Sequence, residues 1–350
     1  MDWFHDVFGF TEQGMSSIQR NITKDGMFLT CHAKGDTRVQ CGRLEVPTLQ
    51  KLREDAKEFL HKNPAKTKTT LREVVGNVQH FHTDPQNKNA IFQVASQCNL
   101  LEMVGPSVTP EEGITGYYYD RTQGPACAIA CAAGTLERNY LVELAKSDGS
   151  VQIGQTENLQ VDTLLDVGKL WNNQNDSLWT MRNGYALASL EGLQHITQTL
   201  TSANAQQYEE MMGQLRIGMH WDTEVTLEHD HHEKLLVSQA YCSAMPVAYS
   251  RQSSNDWETF ARFVLEGAYE ATMLAGVLNV QRDADTGSNK IFLTLLGGGA
   301  FGNRTSWIMD AILRSLRLVE NAGLDVYIVS YGHSKPEVQD LISCYEASLD

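Results

Sequence analysis

The sequence predicts an α/β fold: a mixed, mostly parallel sheet covered by helices on both faces, with an N-terminal extension over residues 1–69. Within the core at 70–350 it predicts a large insertion at about 140–215. Short apolar runs dense enough for buried strands alternate with segments of helical period. One such run, residues 291–296, ends in glycines and enters a helix. The strand-like runs form two blocks, 70–136 and 215–335, with a stretch rich in Gln, Asn, Thr and Ser between them. Length alone favours two domains, but this order makes one interrupted core more economical.

From the N-terminus, residues 26–31 and 37–46 read as short strands around a Lys34-Gly35-Asp36 turn, followed by an amphipathic helix at 48–61 and a polar loop to 69. Residues 70–81 open the first block, Asn87-Lys88-Asn89 makes a turn, and 90–95 has the apolar density of a buried strand. A long loop, 99–124, leads to a helix at 125–136. Pro125 suits its first turn, and its small residues allow close packing on a sheet. After the polar lobe come strands at 218–227 and 235–249. A helix capped by Asn255 with Glu258 then runs to about 278. The order closes with a strand at 290–296, a glycine loop at 297–303, a helix at 305–321 and a last strand at 324–330.

With 42% hydrophobic residues the chain can bury a core without disulfide or metal staples. Its formal charge of -15, with no run of four basic residues, argues against nucleic acid or an anionic membrane as a partner. No apolar stretch approaches the roughly 20 residues that span a bilayer, and the start, Met1-Asp2-Trp3-Phe4, lacks a basic and apolar signal pattern. The expectation is a soluble, unexported, cytoplasmic protein. Seven cysteines without a Cys-x-x-Cys pair read as buried thiols in a reducing compartment.

The glycine loop is the sharpest local feature. Gly297, Gly298, Gly299, Ala300, Phe301, Gly302 and Asn303 follow an apolar strand and precede a helix. In a parallel sheet that places free backbone N–H groups and a helix start at the ligand crevice, where a phosphate fits. The loop lacks the signatures of a P-loop and of a dinucleotide fold, so a tight turn without ligand is the competing reading. The 109–124 loop should share that rim. It holds Glu111, Glu112 and Asp120, the residue type that acid–base work at a sugar carbon requires. Singly, each acid also reads as a solvated loop residue or a cap. Asp120, which follows three tyrosines close to a helix start, is the first choice. Gln97 and Asn99, beyond the strand at 90–95, are amides suited to ribose hydroxyls. His229-Asp230-His231-His232-Glu233 reads as a solvated turn rather than a metal site, because adjacent residues seldom converge on one ion. Ser243 lacks a nucleophile elbow and reads as core or rim.

On these loops the chain resembles the macrodomain superfamily of ADP-ribose-binding proteins, over residues 70–136 and 235–335. Residues 90–99 look like that family's strand ending in an Asn near the distal ribose, 297–303 like its diphosphate loop, and Val74-Val75-Gly76-Asn77-Val78 like its adenine contact, with Asn77 in place of Asp. Tyr331 stands where an aromatic ring can stack on adenine or ribose. The family's glycine-rich catalytic loop is replaced by 109–124, which looks most like a divergent group of arginine-specific ADP-ribosyl hydrolases that includes bacterial effectors acting on ubiquitin. The resemblance implies a three-layer α/β/α macrodomain-like fold and ADP-ribose as ligand with no cofactor and no metal. It further implies removal of mono-ADP-ribose from an arginine-modified protein by Asp120 assisted by Glu111 or Glu112. Asn99 and Gln123 would hold ribose, with Gln97, Thr122 and Gly124 beside them. The alternatives are a non-catalytic ADP-ribose reader and a binder or hydrolase of free NAD-derived nucleotides.

Overall fold

Seven strands form the central sheet of the computed structural model, which describes residues 2–64, 67–228, 233–282 and 286–349. In chain order they are β1 (Arg43–Glu45), β2 (Thr70–Val75), β3 (Ile91–Ala95), β4 (Gly218–Glu224), β5 (Leu236–Cys242), β6 (Lys290–Leu293) and β7 (Asp325–Ser330). The spatial order is β1-β4-β5-β3-β6-β7-β2. From β2 to β5 every pairing is parallel, while β4 and β1 add an antiparallel edge. The mixed, mostly parallel three-layer α/β/α expectation is therefore borne out.

The helices that matter are α1 (Leu49–Lys62), α2 (Val78–Thr83), α3 (Gln123–Ala130), α4 (Ala132–Leu136), α5 (Leu190–Ser202), α6 (Ser254–Gln281), α7 (Thr305–Leu318) and α8 (Pro336–Ala347). Alternate residues of the central strand separate the layers: Ile91 packs into the cluster built on α6 and α7, while Phe92 and Val94 pack under α2 and α3. Burial on both faces is why β3 is almost continuously apolar and why Ser238 and Gln239 of β5 are buried polar residues.

Several boundaries differ from the sequence expectation for physical reasons. The 70–81 segment splits, because the Asn77 side chain accepts a hydrogen bond from Gln79 N at 3.0 Å and starts α2. The 125–136 helix starts two residues earlier and breaks at Cys131, whose φ and ψ are -123° and 61°. Strand β5 stops at Cys242, ahead of Pro246. The cap of α6 is Ser253 with Asp256, since residues 254 and 255 are already helical. Of the seven cysteines, Cys344 is exposed. The 229–232 part of the histidine-rich turn lies outside the described residues.

The N-terminal segment supplies β1 to the sheet edge and α1 to the face of α6. The polar lobe is likewise built in: Trp171, Trp179, Leu193 and Ile196 belong to the largest core cluster. Its sparse apolar residues are spaced so that α5 buries one face only.

Charge ties these parts together. Glu270 of α6, almost buried, takes Arg53 Nε of α1 at 2.5 Å and Arg314 Nη1 of α7 at 2.6 Å. Glu209 bridges the same two arginines from the lobe. Removing Glu270 leaves two half-buried guanidinium groups short of a partner. Urea denaturation of Glu270→Ala should show a loss of about 3–5 kcal/mol. A loss below about 1 kcal/mol, the range of a solvated pair, would contradict this account.

Candidate active site

A cleft opens beyond the carboxyl ends of β3, β5 and β6, where ligands of open α/β sheets bind. It has an inner cavity of about 240 Å³ and an outer groove of about 850 Å³, which share Asp120, Thr122, Gln123, Thr294, Leu295 and Gly299 as a common wall.

The first turn of α3 forms one side. A Cβ on Gly124 would fall 2.0 Å from the Ala95 carbonyl oxygen, so only glycine lets the helix seat on the end of β3. Gln123 locks the contact: its Oε1 accepts Ala95 N at 3.0 Å and its Nε2 donates to Gln93 O at 2.8 Å. Its amide is therefore committed to the sheet rather than offered to a ribose. Thr122 caps the helix without a side-chain bond and Pro125 has no N–H, so in the first turn the N–H groups of Gln123 and Gly124 are without an acceptor among the described residues.

The glycine loop forms the opposite side. Gly297 and Gly302 have φ of 68° and 73°, the left-handed region that favours glycine. The loop closes on itself through Asn303 N to Gly297 O at 2.9 Å and Gly302 N to Gly299 O at 3.1 Å. Asn303 is buried, holds Met245 O through its Nδ2 at 2.8 Å and does not line the cleft. Among the described residues, the N–H groups of Gly299, Ala300 and Phe301 have no acceptor within the chain. A Cβ at Gly299 would meet nothing within 4 Å, and Gly299, Ala300 and Phe301 all line the inner cavity. The arrangement suits a diphosphate.

The acids are distributed otherwise than the sequence implied. Glu111 and Glu112 line neither part of the cleft. Glu111 accepts Glu157 N at 2.9 Å, and Glu112 accepts Thr109 N at 3.1 Å in a capping box; both acids tie down the loop. The assisting role expected of them is corrected accordingly. Asp120 does line the cleft, at the junction of its two parts, held by Thr122 N at 2.9 Å.

The second acid in the inner cavity is Glu102, which the sequence reading passed over as a site residue. It is 2% exposed, and its Oε2 has no hydrogen-bond partner. Burial pushes the carboxyl up to about 7, against the lowering pull of Arg138. Arg138 is fully buried, stands 3.4 Å from Glu102 Oε1 and stacks on the Tyr241 ring at 3.6 Å. Tyr117 Oη accepts the Glu102 backbone N–H at 3.0 Å. A signal was present in the sequence: Leu100-Leu101-Glu102-Met103-Val104 sets one acid among four apolar residues.

The polar lobe reaches the cavity through Tyr185, whose hydroxyl donates to Met103 O at 2.8 Å. Its ring meets Tyr249 at 5.1 Å and Phe301 at 5.3 Å, an aromatic wall. Gln97 also lines the cavity, though its amide holds Met103 O and N at 3.1 and 2.8 Å. Asn99 is buried outside the lining and bonds to Gln160 and Leu101 N, so the ribose role implied for it is not supported by its position. In the outer groove, Asn77 joins Tyr331, 78% exposed, and Tyr119, 84% exposed. Arg121 and Lys335 line the same groove, and neither side chain has an ion pair among the described residues.

No family model matches the sequence, and no curated protein matches it. Solved structures do align with it. Poly(ADP-ribose) glycohydrolase from Thermomonospora curvata is 10% identical, with 95% of this chain and 96% of that chain covered and a TM-score of 0.45. The Deinococcus radiodurans enzyme in complex with ADP-ribose is 11% identical, covering 88% of this chain and 95% of that chain, with a TM-score of 0.42.

The Glu102 carboxyl makes a pH prediction. Its folded pKa lies above its ordinary value of 4.5, so between about 4.5 and about 7 the folded state holds a proton that the unfolded state has released. The stabilisation is complete below that window and is lost as pH rises through it. Melting temperatures of Glu102→Gln should lack this component of the decline between pH 5 and 8. A parental slope retained in the variant would contradict the assignment.

Proposed function

We propose that the chain is an ADP-ribosyl hydrolase that removes single ADP-ribose units from arginine side chains of modified proteins by hydrolysing the N-glycosidic bond. The observation that carries this reading is the pairing of Glu102, buried and titrating near neutrality, with Asp120 in a cavity that adjoins an amide-lined loop. Buried acids tuned toward neutrality are suited to giving a proton to a leaving group.

In this mechanism the outer groove takes the adenosine, with Tyr331 as a stacking face. The amides of Gly299, Ala300 and Phe301 and the first turn of α3 hold the diphosphate, with Arg121 and Lys335 at hand for its charge. The distal ribose enters the inner cavity. As the bond from the anomeric carbon to the guanidine nitrogen breaks, protonated Glu102 gives that nitrogen its proton. Water adds to the anomeric carbon and passes a proton to Asp120, whose carboxylate also stabilises the oxocarbenium charge. The products are ADP-ribose and a free arginine side chain.

The arginine linkage draws support from the aromatic residues of the inner cavity. Tyr249 and Phe301, backed by the buried ring of Tyr185, offer aromatic surface against which a guanidinium can stack, and two carboxyl groups lie in the same cavity. The charge of -15 disfavours a long polyanion, which fits a single unit better than a polymer. The partner is then the modified protein itself, and arginine-modified ubiquitin is a suitable target to assay.

On mono-ADP-ribosylated arginine protein, Glu102→Gln and Asp120→Ala should each lower turnover by about 10²- to 10⁴-fold. Calorimetric affinity for ADP-ribose should stay within about threefold of the parent, as expected for groups that act in the transition state. Binding of ADP-ribose with no release by the parent protein would replace this reading with that of a reader.

A further inference from the structure

The acid-bearing loop is held from outside by a residue that no part of the chemistry above uses. Glu12, in the N-terminal segment, inserts its carboxylate between successive backbone amides of the 109–120 loop. Its Oε2 accepts Thr115 N at 2.7 Å, its Oε1 accepts Ile114 N at 2.9 Å, and Tyr140 Oη donates to Oε1 at 2.7 Å. The fit depends on Gly113, whose φ is 87° and where a Cβ would fall 2.6 Å from the carboxylate. Trp3, on the same segment, donates from Nε1 to Thr115 O at 3.1 Å.

The clamped amides lead directly to both acids. Thr115–Tyr119 is a single 3₁₀ segment; Tyr117 within it accepts the Glu102 backbone N–H through its hydroxyl, and Tyr117 O accepts Asp120 N at 3.1 Å. A shift of the 114–115 amides therefore moves the partner of Glu102 and the anchor of Asp120 together.

We propose that Glu12 is a positioning residue: an anion supplied by the N-terminal segment that fills the amide nest at 114–115 and sets the spacing of Glu102 and Asp120. The proposal rests on the reading of those two acids as the reacting pair, and it assigns Glu12, which lines neither part of the cleft, a part in turnover rather than in nucleotide binding. Carboxylate-to-amide bonds of this kind are short, directional and sensitive to the loss of one oxygen.

The test uses Glu12→Ala and Glu12→Gln in the full chain. In Glu12→Ala turnover should fall about 10- to 100-fold, the scale of a small misplacement of reacting groups. Affinity for ADP-ribose should remain within about threefold of the parent. Sodium formate, a carboxylate small enough for the vacated nest, should restore much of the rate in Glu12→Ala and none in Glu12→Gln, where the amide side chain still fills the space. Turnover within about twofold of the parent, a loss that formate leaves untouched, or an equal loss of ADP-ribose affinity would each overturn the proposal. Amide hydrogen exchange provides an arm independent of activity. Faster exchange at Ile114 and Thr115 in Glu12→Ala, with melting unchanged, supports the clamp; parental protection there overturns it. If the parent itself releases no ADP-ribose, the hydrolase reading falls, and this arm still decides whether Glu12 holds the loop.

Discussion

The first turn of α3 rests on the last carbonyl of β3, and the cleft is arranged around that contact. Gly124 leaves no atom between the helix and the Ala95 oxygen, while Gln123 bonds both a carbonyl and an N–H of the strand end. An added methyl would push the helix outward, at a cost of about 1–3 kcal/mol if the packing could adjust at all. Because the contact is close, the loop before the helix must turn sharply back over the sheet. That turn carries Asp120 to the junction of cavity and groove and brings Gly124 against the side chain of Glu102. The helix start, the acids and the glycine loop face each other because one residue has no side chain.

Electrostatics explains how an acidic chain could still receive a diphosphate. Backbone amides and a helix start add nothing to the count of 28 Lys+Arg, yet they present directed positive ends where the glycine loop meets the cleft. The same low-dielectric setting governs Glu102. Arg138 is close enough to lower the pKa of the carboxyl but not to compensate for its loss of water, and part of the guanidinium is turned to Leu100 O and Thr135. Burial therefore dominates, and the carboxyl titrates near neutrality rather than in the usual carboxylate range. Arg138 limits how far it rises.

Much of the fold was legible in the sequence because the signals were local. The apolar run at 291–293 followed by glycines needed no distant partner to be read as strand and turn, and the period of α6 is carried by its own residues. The shifts at 77, 123 and 253 came from side-chain caps and a helix start, which move a boundary by a residue or two without altering the pattern around it. The candidate site was harder to read because its parts are remote in sequence. Glu102 looks like a loop acid until Arg138 and Tyr117 meet it in the folded chain. Tyr185 belongs to a lobe whose composition says only that it is polar. Glu111 and Glu112 drew attention as a pair, but a capping box and a backbone amide already use their carboxylates. Asn99 had the right residue type, yet its amide is spent on Gln160 and Leu101.

The most direct measurement is a crystal structure of the Glu102→Gln protein with ADP-ribose bound. The account predicts the anomeric carbon in the inner cavity, within about 4 Å of the side chains at 102 and 120, as a near-attack arrangement requires. It also predicts the diphosphate over the amides of Gly299, Ala300 and Phe301 and the adenine in the groove beside Tyr331. A ligand that leaves the inner cavity empty, or that turns its anomeric carbon toward Glu111 and Glu112, would contradict it.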